Sequence, residues 1–248
     1  MSRGTRAFYD QLADVYPLLY DDFEAEVTSQ GAAIDAVLRS WAPSTAIIAD
    51  LAAGIGTQAI ALARHGWTVH AFDLSPRALV RLDAWARREG VAVSTTVHDF
   101  TAGRPGGLPR DCPIAFLLLG NAVAFATDDK LSCGLRDLAA DPSTAAVIGS
   151  TRVYDPDAIA SAPCGACVFE HTRLRGGQSV THRWFACGGR DYRVEVELAG
   201  TVQLSAVTMA TARHRSAIAA LFLGAGFTSL DWIEPNAAGF YQPMFVAR

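Results

Sequence analysis

Ala46-Ile47-Ile48-Ala49-Asp50-Leu51-Ala52-Ala53-Gly54-Ile55-Gly56-Thr57-Gln58-Ala59 is the stretch that decides the fold. Ala46 to Ala49 reads as a buried strand, residues 52–56 as a glycine-containing turn, and Ile60, Leu62 and Ala63 as the buried side of a following helix. Working outward, Thr68 to Phe72 is a second strand, and Pro76 opens a helix through Leu79, Leu82 and Trp85 that ends near Gly90. Strands follow at Val91 to Val97 and Ile114 to Leu119, then a helix over 131–139 and a fifth strand from Ala145 to Ser150. Repeated strand–helix units of this kind imply a parallel sheet covered on both faces.

Upstream, Phe8, Leu12, Val15, Leu18 and Leu19 recur at helical spacing, and a second stripe runs Ile34, Val37, Leu38, Trp41 before Pro43. Downstream of Thr151 the period changes to two. Gly176-Gly177, Gly188-Gly189 and Gly200 divide antiparallel strands at about 167–174, 178–186, 191–198 and 201–209. A helix at 215–224 and strands at Thr228–Ile233 and Phe240–Ala247 close the chain. The expected architecture is one α/β domain over 1–248, with a helical lid over 1–42 and an inserted antiparallel cap over 155–210.

The 248 residues carry 21 Lys plus Arg against 25 Asp plus Glu, a net charge of −4, which argues against a nucleic-acid partner. Lys130 is the lone lysine, so covalent chemistry through a lysine amine is all but excluded. Residues 1–10 lack an unbroken apolar segment, and the run from Ile114 to Ala126 is too short for a bilayer, which needs about 20 residues. Five scattered cysteines suit reduced thiols. The expectation is a cytoplasmic protein with no membrane partner; its oligomeric state is not readable.

Three acids punctuate consecutive strand ends. Asp50 precedes the glycine turn, where free N–H groups at a helix start and close backbone approach suit a ligand, and its carboxylate can face a cation. Asp73 can accept both hydroxyls of a ribose, and Asp99 an adenine amino hydrogen while Phe100 packs on the base. Each acid alone also fits a solvated strand end, and the turn alone an ordinary βα connection. Three in series, at the edge where open α/β sheets bind ligands, point to a nucleoside site.

This series resembles the cofactor site of class I S-adenosylmethionine-dependent methyltransferases over about residues 45–150. Five further segments are similar to the glycine/sarcosine N-methyltransferase group: Tyr9 to Tyr16, Gly54-Ile55-Gly56-Thr57-Gln58, Leu119-Gly120-Asn121, Arg152-Val153-Tyr154-Asp155 and Phe240-Tyr241-Gln242-Pro243. The resemblance implies a Rossmann-like seven-stranded methyltransferase sheet with the antiparallel cap, and S-adenosyl-L-methionine as cofactor. It places Asp73 and the adjoining Leu74 at the ribose, Asp99 and Phe100 around the adenine, and Leu119 under the base. The turn with Asp50, Ala52, Gly54 and Gly56, together with Gln58, would hold the methionine part, and Tyr9 and Tyr16 would close over it. Asn121 and Arg152 match positions that hold an amino-acid carboxylate, with Phe125 beside the acceptor. A guanidinium grips a carboxylate through two parallel hydrogen bonds, although Arg152 equally suits a surface or helix-end salt bridge.

Two departures bear on the acceptor. Where the group has a small hydroxyl residue and then a histidine, this chain has Ala122 and Phe125, which suits a larger or more apolar acceptor than glycine. The implied reaction is methylation of a small molecule, an amine or amino-acid derivative with a carboxylate, by proximity and without a catalytic acid or base. O- or C-methylation of a natural product is an alternative, as is a protein that binds the donor without turnover.

An NAD-dependent oxidoreductase is a further alternative, since Gly54 to Ala59 satisfies G-x-G-x-x-A. Against it, Asp50 would repel a pyrophosphate, Asp99-Phe100 has no role there, and no hydride-relay constellation is evident. Asn121-Ala122-Val123-Ala124 lacks the Pro-Pro-aromatic sequence that methylation of base amino groups often uses. Cys164 and Cys167 near His171, His182 and Cys187 form one ligand-like pair without a second, so no metal is expected. His171, Arg173 and Arg175 share one strand face, which is either solvated or an anion-selecting wall of the cleft. Trp184 fits core packing.

Overall fold

The computed structural model describes residues 3–248. In chain order the elements are α1 (Arg3–Leu12), α2 (Phe23–Trp41), β1 (Ile47–Asp50), α3 (Thr57–Arg64), β2 (Val69–Asp73), α4 (Pro76–Glu89), β3 (Val93–Val97) and β4 (Ile114–Leu118). They continue with α5 (Asp128–Ala140), β5 (Thr144–Ser150), α6 (Pro156–Ser161), β6 (Cys167–Arg175), β7 (Gln178–Ala186), β8 (Asp191–Ala199) and β9 (Leu204–Thr211). The chain ends with α7 (Arg215–Ala225), β10 (Leu230–Ile233), α8 (Pro235–Ala238) and β11 (Met244–Ala247).

The main sheet has seven strands in the order β3-β2-β1-β4-β5-β11-β10, parallel except for β11, which runs antiparallel to both neighbours. Alternate residues serve two layers. Ile48, Val69, Ala115, Leu117, Ile148 and Val246 pack with Ile34, Leu38, Ile60 and Leu82 of α2, α3 and α4. Ala49, Phe72, Phe116, Leu118, Val147 and Phe245 pack with Leu131, Leu135, Ile218 and Phe222 of α5 and α7. Strand order reverses between β1 and β4, so their carboxyl ends open the crevice where such sheets take ligands.

A separate four-stranded antiparallel sheet, β6-β7-β8-β9, follows β5 in sequence. One face, with Val180, Trp184, Val194, Val196 and Ala210, packs with Phe8 and Leu12 of α1. Thr208 Oγ1 donates to Thr5 Oγ1 at 3.3 Å, tying β9 to α1. Among the described residues no helix is long and apolar enough to cross a membrane.

Boundaries moved where single residues override periodicity. The apolar stripe from Phe8 to Leu19 is split: α1 ends at Leu12, and Tyr16–Leu19 forms a 3₁₀ turn with Pro17 near its start. The last antiparallel strand begins at Leu204 rather than at 201, because Gln178 takes over the turn. Its Oε1 accepts from Val202 N at 2.8 Å, and its Nε2 donates to the Val202 carbonyl at 2.9 Å. The last strand begins at Met244, after Pro243, which has no N–H for the ladder.

Candidate active site

The crevice is built first from the turn after β1. Gly54 and Gly56 have φ of 53° and 100°, a region that glycine enters without the Cβ penalty. A Cβ on Gly56 would meet Leu82 Cγ at 2.7 Å, whereas one on Gly54 would meet nothing within 4 Å. Gly54 N donates to Asp73 Oδ2 at 2.8 Å and Ser75 N to Asp73 Oδ1 at 2.7 Å. Each carboxylate oxygen keeps further acceptor capacity. Burial nevertheless pushes the Asp73 carboxyl up to about 6, against the backbone donors.

Asp50 ends β1 almost wholly buried. Ala52 N donates to its Oδ1 at 3.3 Å, while Oδ2 has no hydrogen-bond partner among the described residues. Burial, reinforced by the charge of Asp73, pushes this carboxyl up to about 7. A lone buried carboxyl oxygen is a costly feature that a cation or an N–H donor would relieve.

These elements border a cavity of about 540 Å³, within the range of small-molecule sites. Ala52, Gly54, Gln58, Asp73, Leu74, Phe100 and Leu119 line it on the side of the main sheet. Asn121, Phe125, Arg152, Tyr9 and Tyr16 line it as well. Asp50, Gly56 and Asp99 do not. Asp99 instead caps the short turn that carries Phe100, accepting from Thr101 N at 3.0 Å and Thr101 Oγ1 at 2.7 Å. His98 is the lining residue there, with Nε2 at 2.9 Å from the Gly103 carbonyl.

Asn121 has φ 73°, the one positive value at a non-glycine position among the described residues. A hydrogen-bond chain holds it. Gly120 N donates to Ser150 Oγ at 3.0 Å, Ser150 Oγ to Gln242 Oε1 at 3.0 Å, and Gln242 Nε2 to Asn121 Oδ1 at 3.5 Å. Arg152 is half-buried, and its guanidinium carbon lies 4.9 Å from the Trp184 ring centre. Among the described residues it pairs with no carboxylate, so the surface salt bridge is not what the structure shows. Tyr9 meets Phe125 edge-on at 5.7 Å, and burial drives the phenols of Tyr9, Tyr16 and Tyr20 above their ordinary range.

Several lining residues escape a sequence reading. Gln30 accepts from Gln58 Nε2 at 2.7 Å and donates to Glu26 at 3.3 Å. The polar pair Glu26 and Gln30 at helical spacing, inside the otherwise apolar face of α2, was the available signal. His182, Trp184, Tyr241 and Gln242 come from distant strands and loops. His171 and Arg173 face the cavity, so of their two readings the cleft wall is the one observed. Trp184 is buried as expected for core, but it also lines the cavity. Among the described residues no group of three or more His, Cys, Asp or Glu is placed to hold a metal, and Cys164, Cys167 and Cys187 are free and exposed.

No family model matches the sequence, and no curated protein matches it. Solved structures do. DesVI from Streptomyces venezuelae is 22% identical with a TM-score of 0.70, over 95% of this chain and 97% of that one. CalS10 from Micromonospora echinaspora, described as an S-adenosylmethionine-bound amino pentose methyltransferase of calicheamicin biosynthesis, is 20% identical with a TM-score of 0.70, over 94% and 95%. The CcbJ methyltransferase from Streptomyces caelestis is 16% identical with a TM-score of 0.73, over 97% of each chain. Mostly parallel seven-stranded sheet, separate antiparallel sheet and these likenesses agree: the chain has the methyltransferase fold.

Proposed function

We propose that this protein is an S-adenosylmethionine-dependent methyltransferase that acts on the nitrogen of a small amine carrying a carboxylate. The observation that carries the reading is one cavity bordered both by Asp73 with its free acceptor capacity and by Arg152, which has no carboxylate partner among the described residues. The residue pattern shared with the glycine/sarcosine group supports Arg152 and Asn121 as the carboxylate clamp. Nitrogen as the methylated atom has independent support, since fold relatives include KedS8, described as a sugar N-methyltransferase, and MtfA, a glycopeptide N-methyltransferase.

The residues fit the cofactor. Asp73 and Leu74 would hold the ribose, Phe100 and Leu119 the adenine, and Ala52, Gly54 and Gln58 the methionine part. Asp50, with its unpartnered oxygen, would complement positive charge behind the turn. When bound, S-adenosylmethionine supplies a methyl group on a positively charged sulfur that is already a good leaving group. The chain therefore needs only to align, which is worth on the order of 7–11 kcal/mol. Tyr9 and Tyr16, held as neutral phenols by burial, exclude water and offer no competing phenolate. Arg152 contributes twice: it orients a carboxylate, and its positive charge disfavours the protonated amine, which lacks the attacking lone pair. Phe125 offers an apolar wall to the acceptor. On this reading residues 3–42 form a lid and residues 155–210 a cap over one domain, positions 1 and 2 of the expected lid lying outside the described residues.

Incubation with methyl-labelled donor and a panel of amines, carboxylic acids and phenols tests this. Label should enter amines that also carry an acidic group. Label entering phenol oxygen or carbon would replace the N-methyl assignment, and donor binding without transfer to any acceptor would leave a binding protein.

A further inference from the structure

The cavity-facing side of the antiparallel sheet carries nitrogen atoms that nothing among the described residues satisfies. β6 and β7 pair with Phe169 opposite Trp184, His171 opposite His182 and Arg173 opposite Val180. Phe169, His171, Arg173, His182 and Trp184 all line the cavity. Arg173 Nε, His182 Nε2 and Trp184 Nε1 are shut off from solvent and have no hydrogen-bond partner among the described residues. A guanidinium and an indole donate and never accept, so whatever completes them must present acceptor atoms. Their surroundings are also short of negative charge. Arg152 lies over the Trp184 ring, and among the described residues the ion-pair partner of Arg173 is the exposed Asp21, at 3.6 Å. Burial, then Arg152, Arg173 and His171, press the His182 imidazole down to about 4, so it stands neutral among cations. The carboxylates that line the cavity, Asp73 and Glu26, belong to β2 and α2.

We infer that Arg173, His182 and Trp184 form an anion subsite of the acceptor, separate from the carboxylate clamp of Arg152 and Asn121. The inference rests on the methyltransferase reading and narrows it: the acceptor is an amine with a second anionic group, a carboxylate or a phosphate, lying against β6 and β7. A negatively charged group there would accept from the Arg173 guanidinium and, once the ring turns to bring it out, from Trp184 Nε1, and would draw a proton onto His182 that the present cluster repels. It explains why this strand pair places Arg and His on a face where the neighbouring strands carry Val194, Val196 and Ala210, with Thr208 bonded to α1.

The test is an NMR titration of the His182 imidazole, in protein saturated with S-adenosylhomocysteine, with inorganic phosphate and separately with acetate. The expected result is a saturable shift of His182, with its titration midpoint moving upward. The shift should persist in Arg152→Gln, while Arg173→Gln and Trp184→Phe each weaken binding about tenfold or more. Phosphate acting alone assigns a phosphorylated acceptor, and acetate acting as well assigns a carboxylate. A His182 resonance unmoved by both anions, equal affinity in both variants, or loss of the shift in Arg152→Gln would overturn the subsite. If either variant does not fold, the unmutated protein and Arg152→Gln decide. S-adenosylhomocysteine binding, measured first by calorimetry, separates the outcomes: its absence sinks the methyltransferase reading, whereas its presence with an inert His182 sinks only this inference.

Discussion

Donor affinity should climb with pH, and the buried Asp50 carboxyl sets the size of the effect. Its pKa stands at about 7 without ligand, and a cation placed beside it must lower that value, so binding releases a proton. If only the carboxylate binds well, affinity follows the ionised fraction, which rises about 25-fold between about pH 5.5 and 7.5. Asp73, pushed up to about 6, adds about fourfold over the same range. Wild-type protein should therefore gain roughly 100-fold, and Asp50→Asn only about fourfold on top of weaker binding. Calorimetry with S-adenosylmethionine in two buffers of different ionisation heat counts the released proton directly. The same carboxyl makes an opposite prediction for stability. A pKa raised on folding means that the native state binds more protons, so the cost is absent below the ordinary value near 3.8 and complete above about 7. That cost is roughly 4 kcal/mol, so ligand-free Asp50→Asn should melt above wild type at about pH 8 while binding donor less well. A wild-type affinity flat in pH, or an Asp50→Asn profile as steep as wild type, would show that the Asp50 carboxyl is not coupled to donor binding.

Asp73→Asn should weaken donor binding by about tenfold or more, because one amide oxygen cannot serve Gly54 N, Ser75 N and two ribose hydroxyls. A folded variant with unchanged calorimetric affinity would remove Asp73 from the ribose. Arg152→Gln should raise the acceptor KM about 10- to 100-fold with donor affinity intact, since a charge-assisted pair is lost. An equal loss of both would make Arg152 structural. Gly134→Ala places a Cβ against the Phe100 carbonyl and the Thr101 Cα, so it should cost about 1–3 kcal/mol in denaturant unfolding and weaken donor binding as Phe100 shifts. Wild-type stability and affinity there would contradict the packing of α5 on the Phe100 turn.

What could be read from sequence is what lies within one strand–turn–helix unit. Asp50, Gly54 and Asp73 announce themselves because turn conformation and carboxylate chemistry are local, and the core strands because both of their faces are apolar. Partners supplied across the fold could not be read. Gln242 reaches Asn121 from 121 residues away, and Arg213 donates to the carbonyls of Val123 and Ala126 from 90 and 87 residues away. Period two told which of His171, Arg173 and Leu174 share a face, but only the packing of α1 against β7 to β9 decides that this face turns inward. Asp99 shows the converse: a residue type suited to an adenine amino group is also a good cap, and in the fold it bonds its own turn. The stripe through Val15 and Leu18 continued across a break because a 3₁₀ turn keeps apolar residues at the same spacing.

On the proposed function, the crevice at the carboxyl ends of β1, β2 and β4 receives an adenosyl sulfur cofactor. Calorimetric titration with S-adenosylhomocysteine and, in parallel, with NAD tests it most directly. One saturable S-adenosylhomocysteine site per chain is expected, weakened in Asp73→Asn, with no heat from NAD. Saturable NAD binding with S-adenosylhomocysteine inert would contradict it.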